Sequence, residues 1–192
     1  MAEHSSPNRL FLTSGLNLPQ IAHHGDNTVI PEMQTSHEEA DIIIVQQCFN
    51  ALSKVCSSIT IISDDADDFV LLVHYYDQTN CMKLVLMEET HGARNVIDIG
   101  QTVSKYSHLA ATLPALHALT GCDSTSKIHE IGKKTALNIS KKATLINMGF
   151  INSQIEDIVQ EATQFISLCY GIAGGAEMTS KRYIKTICII IL

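Results

Sequence analysis

Four carboxylates in five positions, Asp64-Asp65-Ala66-Asp67-Asp68, follow directly on the apolar run Ile59-Thr60-Ile61-Ile62. This junction constrains the fold more than any other feature. A near-continuous run of β-branched residues reads as a strand buried on both faces in a parallel sheet. Ligands of such sheets gather beyond the carboxyl ends of the strands. Carboxylates crowded at the end of a buried strand repel one another and lose hydration, which is costly unless cations neutralise them. Divalent metal ions do so, and hard oxygen donors suit Mg²⁺ or Mn²⁺. A solvated acidic turn, or the acidic start of a helix, is the plainer alternative.

The chain around this junction alternates between strand and helix patterns. Arg9–Thr13 and Thr28–Ile30 read as short strands, separated by a stretch, 14–27, rich in Gly, Asn, Pro and His. Ser36 and Glu39 have the spacing of a capping box that opens a helix running to about Lys54. Its apolar positions Ala40, Ile43, Ile44, Cys48, Ala51 and Leu52 recur at helical period. Phe69–Val73 opens a short helix, and Lys83–Met87 and Asn95–Ile99 read as strands. Gln101–Leu119 is helical with a kink or restart at Pro114, and the segments 134–147 and 153–169 read as helices. The fold class expected is α/β, a largely parallel sheet flanked by helices with a helical C-terminal part. The expected organisation is an N-terminal region of strands and loop at 1–35, a main domain at 36–170 and a tail at 171–192.

Composition narrows the function classes. At 192 residues and 45% hydrophobic, the chain is long enough to bury a core. The net charge of −7 argues against indiscriminate binding of nucleic acid. The charge is uneven: residues 1–102 carry 14 acidic and 4 basic side chains, and residues 103–192 carry 6 and 9. Residues 124–142 hold Lys127, Lys133, Lys134, Lys141 and Lys142 against Glu130 alone, the charge a phosphate-gripping surface needs. Six cysteines lack any Cys-x-x-Cys pair, so free, buried thiols in a reducing compartment are expected. No secretory signal opens the chain and the apolar end 187–192 is too short to span a bilayer, so a nuclear or cytoplasmic location is expected, with no membrane partner. His23, His24 and His37 read as solvated, Cys122 as a small buried side chain without a basic partner, and His117 as core or surface.

Three acidic motifs occur in order: Glu39-Ala-Asp41, Asp65-Ala-Asp67 and Gly121-Cys-Asp123. Together with the stretches His37–Asp41, Leu113–Ser126 and Ile131-Gly132-Lys133-Lys134, this order resembles the internal nuclease region of the flap endonuclease and XPG family, within the PIN-like group. It is most similar to asteroid-type and transposon-associated members. The resemblance runs from about residue 36 to 142, and less distinctly to 165–171 and Arg182-Tyr183.

The resemblance implies a PIN-like fold and a two-ion Mg²⁺ or Mn²⁺ site held by Glu39, Asp41, Asp65, Asp67 and Asp123, with Asp65, Asp67 and Asp123 as the catalytic carboxylates. Such ions polarise a scissile phosphate and supply the attacking hydroxide. It implies a helix–two-turn–helix-like element in which Lys127, Gly132, Lys133 and Lys134 contact a nucleic-acid backbone, DNA rather than RNA. Two departures are visible. The family's early strand with its Asp has no counterpart here, which predicts an incomplete metal site and weak or absent cleavage by the isolated chain. Glu130 stands where the family's first turn Gly falls, and Lys133 where Pro is common. A non-enzymatic protein-interaction module, or a truncated transposon-derived product on the same fold, is the alternative.

Overall fold

The computed structural model describes residues 10–14, 17–23, 26–29, 39–54, 56–92, 95–143, 145–150 and 152–171. The chain divides into two compact units between Ile59 and Thr60, so the expected domain at 36–170 spans this division.

In the first unit, β1 (Leu10–Ser14), β2 (Asn17–His23) and β3 (Asp26–Val29) form an antiparallel sheet in that order. β2 lies inside the stretch expected to be irregular. Pro19 obscures it, since proline cannot donate to a ladder. The register resolves the conflict: it slips between Leu12 and Ser14, and β2 meets β3 only from Gln20 onward, so Pro19 falls outside the paired positions. Helix α1 (Ala40–Lys54) follows, with Val45, Cys48 and Leu52 buried along one face. Its start is three residues later than the capping-box pattern predicts, and Ser36 lies outside the described residues.

The second sheet has the order β4-β5-β6, from β4 (Ser58–Ile62), β5 (Leu84–Glu88) and β6 (Val96–Asp98). It is mixed rather than largely parallel: β5 and β6 pair antiparallel, Leu86 opposite Asp98 and Glu88 opposite Val96. The reason is length. Seven residues join β5 to β6, whereas a parallel crossover needs a dozen or more. β4 also departs from expectation, because only Ile61 is buried and Ile62 is 67% exposed. Side chains alternate along a strand, so Ile61 and Ile62 point to opposite faces of the sheet, one covered and one open.

Helix α2 (Ala66–Gln78) links β4 to β5 and packs on α3 (Ile99–Ala110) and α4 (Leu113–Thr120). It is a full 13-residue helix because Asp65 caps it, accepting from Asp67 N at 2.8 Å, and because Val70, Leu72 and Val73 bury one face. Asp98 caps α3 in the same way, accepting from Gln101 N at 2.9 Å. Pro114 restarts the chain as α4, where a missing N–H goes unnoticed in the first turn.

Two turns, 122–125 and 128–131, then lead to α5 (Lys133–Ile139), which packs on α4. The helix expected over 134–147 stops at Ile139. Leu145 turns back into the core beside Ile128, Ile131 and Phe165, which a continuing straight helix would prevent. Helix α6 (Ile155–Cys169) closes this core with Ala162, Phe165 and Ile166. Its Glu161 accepts twice from Asn147, from the backbone N and from Nδ2, each at 2.8 Å, and so holds the intervening turn. No helix among the described residues is long and apolar enough to cross a membrane. The terminal apolar stretch 187–192 and Arg182-Tyr183 lie outside the described residues.

Candidate metal centre and nucleic-acid interface

The acidic junction folds as the capped start of α2. Ser63 Oγ accepts from Asp65 N at 3.0 Å and donates to Asp68 Oδ2 at 2.5 Å, so the turn is tied at both ends. The four carboxylates then take different roles. Asp65 caps the helix through Oδ1. Asp67 points its Oδ1 at His117 Nε2, 2.5 Å away on α4. Asp68 is 2% exposed, and its Oδ1 has no hydrogen-bond partner among the described residues. Burial pushes its carboxyl above the usual range, with Asp65 and Asp67 adding to the push and the Ser63 hydroxyl opposing it. Asp64 faces outward and accepts from Thr90 Oγ1, from Thr90 N at 2.7 Å and from His91 Nδ1 at 2.8 Å. Those bonds, the Thr90 hydroxyl foremost, pull Asp64 down to about 2.

His117 connects the acidic start of α2 to the lysine-bearing turn. Lys133 Nζ lies 2.7 Å from His117 Nδ1 and donates to Gly121 O at 3.0 Å. An ammonium can only donate, so Nδ1 is the accepting nitrogen and Nε2 carries the hydrogen given to Asp67. Partial burial draws Lys133 below the usual lysine value and Lys127 adds to this, while Cys122 and Asp67 act against it.

The turn itself is built around two backbone positions. Gly121 has φ +95, and a Cβ there would lie 2.8 Å from Lys127 Cα, so the two strands of the turn pass too closely for a side chain. Glu130 has φ 62, the left-handed conformation that glycine adopts more easily, at the position where the resembled family has its turn Gly. Ile128 and Ile131 bury on either side of it and pin the loop to the core.

Cys122 sits at the first turn with its Sγ 3.3 Å from Ser124 Oγ and 3.2 Å from Thr125 Oγ1. Burial pushes its thiol up, but the hydroxyl and backbone bonds of Ser124 and Thr125 outweigh it and leave the thiol below its ordinary value. Ligand atoms of Asp67, His117 and Cys122 all lie within 4.8 Å of one another, a set able to hold a metal ion. Both side chains are half-buried, and the structure brings the His117 imidazole, five residues upstream on α4, to within 4.8 Å of Cys122 Sγ, a proximity that the sequence does not display.

The expected residues are distributed as follows. Asp67 is in this cluster, and Asp65 stands beside it as the α2 cap. Asp123 is exposed on the turn and lies outside the cluster. Glu39 precedes α1 and is exposed, and Asp41 occupies the first turn of α1; both belong to the first unit. Lys127, Gly132 and Lys134 are exposed, Gly132 as the N-cap residue of α5 with open space around its Cα. Of the cysteines, Cys48 is buried and Cys56, Cys81, Cys122 and Cys169 are half-buried, while Cys188 lies outside the described residues. No family model, curated protein or solved structure matches this chain.

Proposed function

We propose that the chain is a metal-dependent, nuclease-like domain of PIN type, related to structure-specific 5′ endonucleases, that binds a nucleic-acid backbone. One observation carries the reading: the Asp67–His117–Lys133 chain sets an acidic pair directly beside a lysine-bearing turn. Phosphodiester chemistry needs both, carboxylates for the cations that neutralise the phosphate and donors that hold the strand. The fit to hard cations is partial. Asp65 and Asp67 each use Oδ1 within the protein, and Oδ2 of each has no hydrogen-bond partner among the described residues.

Asp65 and Asp67 would hold Mg²⁺ or Mn²⁺ through those oxygens, and the ions when bound would supply charge to the scissile phosphate. Lys127, Lys134 and the exposed amide edge at Gly132 would position the backbone, DNA in preference to RNA. Cleavage by this set is weak, because Asp123 stands apart from Asp67 and Asp65 is engaged in capping α2.

The test is thermal melting with Mn²⁺ titrated into wild type and the Asp65→Asn/Asp67→Asn variant, with labelled flap DNA in the same samples. Binding to the folded state alone stabilises by about 2.7 kcal/mol at a hundredfold excess over Kd. Wild type should gain stability and the variant should not. A second reading, a protein-interaction module, is favoured by Ile146 and Phe150, which are 57% and 60% exposed and line one groove with Gln154 and Asp157. It takes over if Mn²⁺ leaves both proteins unchanged.

A further inference from the structure

We propose that Asp67, His117 and Cys122 form a Zn²⁺ site, distinct in metal class from the Mg²⁺ or Mn²⁺ chemistry of the acidic pair, and that Lys133 is its resident counter-cation while no ion is bound. The inference does not depend on the nuclease reading. It rests on the donors and on how three separate elements deliver them.

The donors are a carboxylate oxygen, an imidazole nitrogen and a sulfur, all within 4.8 Å of one another. Mg²⁺ prefers six oxygens in an octahedron, whereas thiolate with imidazole suits Zn²⁺. Three protein ligands leave one tetrahedral position for an outside donor, the ligand count of open zinc sites. The formal charges also match: carboxylate and thiolate with a neutral imidazole balance a dication.

The distances describe a set that needs small movements to close. With Zn–N and Zn–O near 2.0 Å and Zn–S near 2.3 Å, tetrahedral neighbours sit about 3.3–3.5 Å apart. Asp67 Oδ1 and His117 Nε2 are now 2.5 Å apart because they share a hydrogen bond, and must separate by somewhat under 1 Å. Rotations of Asp67 and Cys122 side chains achieve this, since each is only half-buried. His117 is held in place on α4, its side chain 10% exposed.

Lys133 defines what an ion would change. Its ammonium donates to His117 Nδ1, which obliges Nε2 to carry the ring hydrogen. Metal binding at Nε2 requires the opposite tautomer, with hydrogen on Nδ1. The ammonium then faces an N–H and a dication and leaves. Lys133 therefore compensates the cluster's negative charge when no ion is bound, and an ion would release it toward the exposed turn that carries Lys127 and Lys134.

The test uses the full chain with Co²⁺ as a spectroscopic stand-in for Zn²⁺. Wild type should develop a thiolate-to-cobalt charge-transfer band and intense visible bands of a tetrahedral ion, and one equivalent of Zn²⁺ should abolish both. Cys122→Ser should lose the charge-transfer band, and His117→Ala should weaken Zn²⁺ binding beyond the roughly 100-fold that loss of an outer-shell partner costs. Lys133→Met should bind Zn²⁺ more tightly than wild type. Circular dichroism of each variant confirms that it is folded, and Asp67→Asn serves in place of any that is not. Absence of the band in wild type, or its survival in folded Cys122→Ser, overturns the site; unchanged affinity in Lys133→Met overturns the role given to Lys133. A Mn²⁺ response that depends on Asp65 and survives Cys122→Ser, with no cobalt–thiolate band, would sink this inference while leaving the nuclease reading standing.

Discussion

Asp67 and His117, fifty residues apart in the chain, meet at 2.5 Å and tie the start of α2 to α4. His117 presents its other nitrogen to Lys133, so one imidazole joins three segments of the second unit. A hydrogen bond to a charged group in a half-buried setting is worth about 1.5–3 kcal/mol. Urea denaturation of Asp67→Asn, His117→Ala and the double variant should give a coupling energy in that range. Strictly additive losses would show that the two side chains are neighbours without being partners.

Asp64 provides a pH dependence on the outer side of the same turn. Its carboxyl lies at about 2 in the folded protein, against 3.8 when free. A depressed value means that the folded state favours the ionised form. The stabilisation is complete above 3.8 and disappears as pH falls toward 2. Wild type should therefore lose melting temperature more steeply than Asp64→Asn across this acid window, and the two slopes should converge above it. The contribution is modest because the Asp64–His91 pair is open to solvent, His91 at 91% exposure. Parallel slopes throughout would remove Thr90 and His91 as the cause.

The sequence pattern located α3, α4 and α6 from helical runs and Pro114 and β5 from its apolar run, and it placed α2 only as a short helix opening at Phe69, three residues inside the observed start. It failed where distant contacts decide. β4 looked doubly buried because a run of isoleucines does not reveal which face of the sheet stays open. The early stop of α5 comes from Leu145 finding the core of Phe165 and Ile131, which lie far from it in the chain. The candidate site was half legible. Asp65 and Asp67 announce themselves as a pair after an apolar run. His117 and Cys122 do not, because a helix residue and a turn residue five positions further on come together with Asp67 only once α2 is packed alongside.

Gly121 and Gly149 share a φ of +95 and differ in surroundings, so alanine at each separates backbone strain from steric overlap. At Gly149 nothing lies within 4 Å of the added Cβ, and the cost is the conformational strain alone, about 1–2 kcal/mol. At Gly121 the methyl would stand 2.6 Å from Lys127 Cγ and 2.8 Å from its Cα, and backbone cannot swing aside. Gly121→Ala should lose a further 1–3 kcal/mol or so as the turn is forced open. It should also shift the Lys133 contact to Gly121 O, visible as altered exchange of the turn amides. Equal losses at the two glycines would mean that the close approach of Lys127 is unimportant.

The fold disfavours Asp68 in its ionised form. Burial raises it, Asp65 and Asp67 reinforce the effect, and the Ser63 hydroxyl relieves only one oxygen. The sign follows from linkage. A carboxyl raised above its unfolded value stabilises most when protonated, below the unfolded value, and that contribution is lost as pH rises through the folded one. At neutral pH the buried charge is therefore a net penalty, one that a functional site can retain. Asp68→Asn keeps an oxygen for Ser63 and removes the charge. Its melting temperature should exceed that of wild type at pH 7, and the difference should vanish by about pH 3, below the unfolded carboxylate range. A variant less stable than wild type at pH 7 would mean that Asp68 has a cationic partner in solution, and would place the negative charge itself among the requirements of the α2 start.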